Sequence, residues 1–175
     1  MDTHTCYVSL GSNLGDRATV LQRAFCELNS IHQTHIRAWS RIYETEPVDW
    51  LEQPAFLNAV VKLSSSLSPK QLLDAFLCIE NRLGRVRTVR YGPRIIDVDL
   101  LFYDDLVLSE ESLQLPHPRL HERAFVLVPM MEIASHVFHP RLRETISQLY
   151  ERVHGKEGVT LCLSYLQSDC APTES

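Results

Sequence analysis

Arg94-Ile95-Ile96-Asp97-Val98-Asp99-Leu100-Leu101-Phe102 is the stretch around which the rest of the chain organises. The apolar run Ile95–Tyr103 predicts a strand. Two aspartates sit inside it, two positions apart. A period of two puts both carboxylates on one face, with Cα atoms about 6.6 Å apart. Val98 and the leucines surround them, and Leu100, between the acids and the following apolar residues, is given no role.

Two carboxylates side by side in an apolar strand repel each other and resist burial. Cations between them would remove the conflict. Carboxylate oxygens suit Mg²⁺, which binds through one or two carboxylates together with substrate phosphates. Such a pair could bracket two ions about 3.5–4 Å apart, a clamp used on phosphorus. The bland alternative is a solvated strand face on which Asp-x-Asp is merely polar. Aspartate is a poor strand former, which weighs against that alternative.

Upstream, Gly84-Arg85-Val86-Arg87-Thr88-Val89-Arg90-Tyr91-Gly92-Pro93-Arg94 places four arginines in eleven residues. The guanidinium fork matches phosphate oxygens. Cations followed directly by acids fit a metal–polyphosphate site. A solvated basic loop is the competing explanation, since charge runs usually face water. An RNA-binding loop with Tyr91 stacking is another. No RNP-type aromatic signature supports the latter.

Outward from this centre, Thr5–Leu10 reads as a first strand. Gly11-Ser12-Asn13 reads as a turn with Asn13 as helix cap, and Leu14, Ala18, Leu21, Phe25 and Leu28 recur at helical spacing to about Ser30. Ile36–Thr45 reads as a second strand, Glu46–Pro54 as a Pro-bounded loop holding Trp50, and Phe56–Leu63 as a third strand. Ser68-Pro69-Lys70-Gln71 is a capping-box helix start, with Leu72, Phe76, Ile79 and Leu83 as its stripe and Gly84 as its end. After the fourth strand come short strand segments at Leu106–Leu108 and Leu113–Leu115. Two further helices are predicted, about His121–Ala134 (with Pro129 starting, kinking or interrupting it) and Arg143–His154. The order β-α-β-β-α-β predicts an α+β, ferredoxin-like antiparallel sheet with helices packed on one face and a C-terminal helical appendage. Residues 1–167 read as one domain and 168–175 as a disordered tail.

The 175 residues carry a formal net charge of -5, so no global basic field draws the chain to nucleic acid or anionic lipid. The N-terminus lacks the basic and apolar regions of a signal peptide, and no apolar run is long enough to span a membrane. A cytoplasmic location is expected. Five cysteines without a C-x-x-C read as buried, inert thiols. Eight histidines form no H-E-x-x-H or Cys/His set, and Gly11–Gly15 lacks the Lys-Ser/Thr of a Walker A loop.

These motifs occur in a familiar order. Gly11-Ser12-Asn13-Leu14, Phe56-Leu57-Asn58-Ala59, Glu80 with Gly84-Arg85-Val86-Arg87, Arg90-Tyr91-Gly92-Pro93-Arg94, Asp97-Val98-Asp99, and Pro116-His117-Pro118 with Arg123-Ala124-Phe125 together resemble the 6-hydroxymethyl-7,8-dihydropterin pyrophosphokinase family. The likeness covers about Tyr7 to Leu149, and Gly-Pro-Arg-x-x-Asp-x-Asp is its most specific piece. It implies an enzyme of folate synthesis that moves pyrophosphate from ATP to the pterin. By resemblance, Asp97 and Asp99 hold two Mg²⁺, and Arg85, Arg94, Arg123 and His117 lie on the ATP phosphates. Arg94 matters most for transfer, and Arg85 belongs to a loop that closes over the site. Glu80, Arg87, Arg90 and Tyr91 fall on the nucleotide side. The pterin lies between Phe56 and Phe125, its edge read by Asn58 and by backbone near Thr45 and Val48, with Gly11 lining the pocket. Phe56 stands where many members have Tyr, and Tyr91 where they have Trp, so both aromatic faces are kept. The family's glutamine on the second helix has no counterpart, because Leu77 stands there. Small-molecule partners only are expected, with a monomeric protein. A ligand-binding module without chemistry is the rival, separable by an assay for AMP.

Overall fold

The computed structural model describes residues 2–48, 51–84 and 92–162. The element order is β1 (His4–Ser12), α1 (Arg17–Asn29), β2 (Thr34–Trp39), β3 (Tyr43–Thr45), β4 (Phe56–Ser65), α2 (Pro69–Arg82) and β5 (Asp97–Tyr103). There follow β6 (Leu108–Ser109), β7 (Gln114–Leu115), α3 (Ala124–Ala134), β8 (Phe138–His139), β9 (Glu144–Thr145), α4 (Ile146–Arg152) and β10 (Val159–Leu161). The main sheet is six-stranded and antiparallel in the order β10-β3-β4-β1-β5, with β2 also pairing β4. The fold is therefore mixed α and β. Among the described residues no helix is long and apolar enough to cross a membrane.

Alternation along β1 builds two cores. Cys6, Val8 and Leu10 point to one face, where they pack with Leu21, Leu28, Leu72, Phe76 and Ile79 of α1 and α2. Tyr7 points to the other, against Val126, Leu127 and Met130 of α3 and Leu149 of α4. A strand covered on both sides reads as a nearly continuous apolar run, as Thr5–Leu10 does. The C-terminal part is thus not an appendage. Helix α3 (AFVLVPMMEIA) is apolar almost all round because it is sandwiched between the sheet and α4. Pro129 stays inside that helix, where it forgoes one intrahelical hydrogen bond.

One extra residue shapes β5. Tyr7 pairs with Phe102 but Val8 pairs with Leu100, so Leu101 is a bulge. Val98 and Leu100 consequently join the α1/α2 core, while the consecutive Leu101 and Phe102 both enter the α3 core.

Local chemistry explains the other boundaries. Ser68 accepts from Gln71 N–H, Gln71 accepts from Ser68 N–H, and Pro69 occupies the first turn of α2. Gly84 ends it at φ 90°, where a side chain would be strained. The expected second strand is two strands, because Ser40 interrupts the ladder: its Oγ, not a carbonyl, accepts from the Val60 N–H at 2.9 Å. Asp16, not Asn13, caps α1, accepting from Thr19 N–H at 3.2 Å. The cysteines also depart from expectation. Cys6 is buried, but Cys26 and Cys162 are half-buried and Cys78 is exposed.

Candidate active site

A cleft of about 440 Å³ opens on the α3 side of the sheet. Its floor is set by register. Gly11 faces Asp97 on one side and Asn58 on the other, and Ser9 faces Asp99. Period two therefore lines up Ser9, Gly11, Asn58, Asp97 and Asp99 on one surface. The walls are the end of β3 with Thr45, the loop after it with Val48, the start of β4 with Phe56, and the segment from His117 into the first turn of α3 at Phe125. Eleven anticipated residues meet here: Gly11, Thr45, Val48, Phe56, Asn58, Arg94, Asp97, Asp99, His117, Arg123 and Phe125.

The acids are in an unbalanced setting. Burial, and then the neighbouring Asp97, push the Asp99 carboxyl up to about 7, against the pull of Arg123 and Arg94. Asp97 is held by Arg94, Nη1 to Oδ2 at 2.9 Å. A carboxylate pair with one member raised by burial and by its neighbour fits Mg²⁺, whose remaining positions go to water and phosphate. Among the described residues no group of three or more His, Cys, Asp or Glu side chains could hold a metal by itself.

Arginines and aromatic rings interleave. The Arg94 guanidinium lies 5.7 Å from the centre of the Phe56 ring, and that of Arg123 lies 5.6 Å from Phe125. Groups suited to a flat heterocycle thus adjoin groups suited to phosphate. Asn58 is buried, and its Nδ2 donates to Thr45 Oγ1 at 2.6 Å. Its Oδ1 is directed at Gly11, where a Cβ would come within 2.9 Å of it. A side chain at position 11 would therefore displace the Asn58 amide. Burial, and then Arg123, hold the His117 imidazole down to about 4.

Two residues act from behind the cleft. Glu80 does not line it; it is 3% exposed under β5, and its Oε1 accepts from the Val98 N–H between the two aspartates. Glu80 thus holds the acid-bearing strand from below. Asn13, read from sequence as a cap, is buried and clasps two other segments. Its Nδ2 donates to Gln53 Oε1 and Pro54 O, its Oδ1 accepts from Arg94 N–H, and its own N–H donates to Arg94 O.

Sequence reasoning missed Ser9, Gln53 and Arg119 in the lining. Ser9 was findable, being two residues before Gly11 on the same strand face. Arg85, Arg87, Arg90, Tyr91 and Trp50 lie outside the described residues.

Paired acids and arginines beside the rings of Phe56 and Phe125, on an antiparallel sheet, give a cleft whose chemistry suits a metal–nucleotide complex and a planar co-substrate. A family model described as 7,8-dihydro-6-hydroxymethylpterin-pyrophosphokinase matches residues 7–135. The 2-amino-4-hydroxy-6-hydroxymethyldihydropteridine pyrophosphokinase of Bacillus subtilis is 45% identical over 131 residues, 75% of this chain and 78% of that protein. The folic acid synthesis protein fol1 of Pneumocystis carinii is 42% identical over 153 residues, 87% of this chain but only 20% of that protein. The chain thus spans about a fifth of the fungal relative's length. Among solved structures, wild-type HPPK-DHPS of Plasmodium falciparum with pteroate shares the fold at a TM-score of 0.71 and 17% identity, over 91% of this chain and 46% of that one. The chain belongs to the 7,8-dihydro-6-hydroxymethylpterin-pyrophosphokinase family.

Proposed function

We propose that this chain transfers the pyrophosphoryl group of ATP to the hydroxymethyl arm of 6-hydroxymethyl-7,8-dihydropterin, releasing AMP, as a step of folate synthesis. The observation that carries this reading is the single cleft that joins Asp97, Asp99, Arg94 and Arg123 to Phe56, Asn58 and Phe125. The hydroxyl oxygen of the pterin attacks the β-phosphorus. The bond from that phosphorus to the α–β bridging oxygen breaks, AMP departs with the oxygen, and the hydroxyl proton goes to solvent.

The residues do mainly positioning and electrostatic work. Phe56 and Phe125 sandwich the pterin, and Asn58 with Thr45 and backbone near Val48 reads its edge. Arg94, Arg123 and His117 contact the phosphates. Arg85, Arg87, Arg90 and Tyr91 enter on the family resemblance alone. Glu80 and Asn13 hold β5 and Arg94 in place. Asp97 and Asp99 would hold two Mg²⁺, which when bound neutralise phosphate charge and polarise phosphoryl oxygens. The finer reading of the fold is a ferredoxin-like core, supported by the order β5-β1-β4 followed by the divided second strand. A single domain over residues 1–167, a monomer and a cytoplasmic location complete the proposal.

The test is direct. With ATP, Mg²⁺ and the hydroxymethyl pterin, AMP should accumulate, and Asp97→Ala and Asp99→Ala should lose turnover while remaining folded. Binding of both substrates without AMP would leave a module that lacks chemistry.

A further inference from the structure

His117 enters the reading above as a phosphate contact, with no nitrogen and no proton assigned to it. The turn that carries it supplies both. The His117 N–H donates to Leu101 O at 2.9 Å, anchoring the turn to β5, and its carbonyl accepts from Leu120 N–H at 3.2 Å. The Arg119 backbone N–H is aimed at the ring, 3.2 Å from Nδ1. A backbone N–H can only donate, so Nδ1 must present its lone pair. The single proton of a neutral imidazole then belongs on Nε2. Among the described residues Nε2 has no hydrogen-bond partner, while the ring lines the cleft. Burial is the main influence that keeps the ring neutral; Arg123 and Arg119 also oppose a second proton, and Asp97 is the acid that favours one.

We propose that His117 meets the triphosphate as a neutral imidazole, donating from Nε2–H to a phosphoryl oxygen, with the Arg119 backbone N–H fixing that tautomer. This rests on the nucleotide reading given above. It has two chemical consequences. His117 does not take the proton of the pterin hydroxyl, because Nε2 already carries one and Nδ1 is engaged by the backbone. The ring also adds a directional donor without adding a further positive charge beside Arg94, Arg119 and Arg123.

Two measurements on the full chain test it. Two-bond ¹⁵N–¹H correlation spectra of histidine-labelled protein, assigned with His117→Asn, should show the His117 proton on Nε2 and a bare Nδ1 near neutral pH. A proton on Nδ1, or an imidazolium, overturns the tautomer. His117→Asn keeps an oxygen to accept from the Arg119 N–H but offers no donor at the Nε2 position. It should bind a Mg²⁺-loaded non-hydrolysable ATP analogue about tenfold to a hundredfold more weakly, with pterin affinity unchanged. Wild-type affinity in that variant overturns the phosphate contact. A wild-type chain that binds no nucleotide overturns the contact together with the nucleotide reading, whereas an Nδ1–H spectrum in a chain that does bind overturns the tautomer alone.

Discussion

Lowering the pH from about 8 to about 6 should weaken the binding of Mg²⁺-loaded nucleotide through Asp99. Its carboxyl is pushed up to about 7 by burial and by Asp97, so the metal-free cleft carries a proton that a ligated carboxylate cannot keep. With that value the carboxylate is about nine-tenths ionised at the upper pH and about one-tenth at the lower, so affinity should fall about tenfold. Near pH 7, binding should release about half a proton. Isothermal titration of a non-hydrolysable ATP analogue with Mg²⁺, in two buffers of different ionisation heat, reads that proton directly. Equal heats in both buffers and a flat affinity across the range would refute the reasoning, because Asp99 would then already be ionised or stay clear of the metal. The same groups give the metal-free protein an opposed stability profile. The Asp99 value is raised on folding, so its penalty is absent below about pH 4, grows as pH rises and is complete above about 7. The His117 value is depressed to about 4, so the stability it contributes is full above the unfolded value of 6.5 and is lost as pH falls toward 4.

Three substitutions separate roles. Gly11→Ala should cost at least tenfold in pterin affinity by fluorescence titration and leave nucleotide affinity near wild type, since its Cβ would strike Asn58 Oδ1. Asn13→Ala should lower kcat more than it lowers thermal stability, because it frees the Arg94 backbone and the Gln53–Pro54 loop together; an unchanged kcat would dismiss the clasp. Leu127→Ala, in the fully buried α3 core, should destabilise by about 2–5 kcal/mol in urea melts, with the substrate-binding constants of the folded fraction unaltered.

Much of this was legible in the residues. The capping box at Ser68–Gln71, the stripe of α2 and the acid pair on β5 obey local rules, and a local rule is what one sequence can display. Asn13 was misread because its residue type suits a cap and nothing nearby reveals that its amide is spent on Gln53, Pro54 and Arg94, up to 81 positions away. Strand β10 was missed because three residues after a Gly155–Gly158 turn show no period, and only pairing with Tyr43–Thr45 makes them a strand. Placing α3 across the second face from α1 and α2 also needed three dimensions. Its all-round apolar character announces deep burial without saying against what. The cleft residues emerged largely from family resemblance; the strand-borne members could have come from alternation alone.

The bulge at Leu101 has an implication for how the chain can vary. Upstream of it the strand shows its carboxyl groups to the cleft; downstream, the same surface must receive Phe102. One inserted position reconciles the two demands. Exchange of one apolar letter for another there should be absorbed by the neighbouring packing. Loss of Leu101 itself would close the bulge into a regular ladder that keeps the acids and the aromatic ring on their present side, whereas loss of a residue elsewhere in the strand would turn one side chain or another away from its face. The bulge is thus the one position of this strand whose removal leaves every other side chain on its own face.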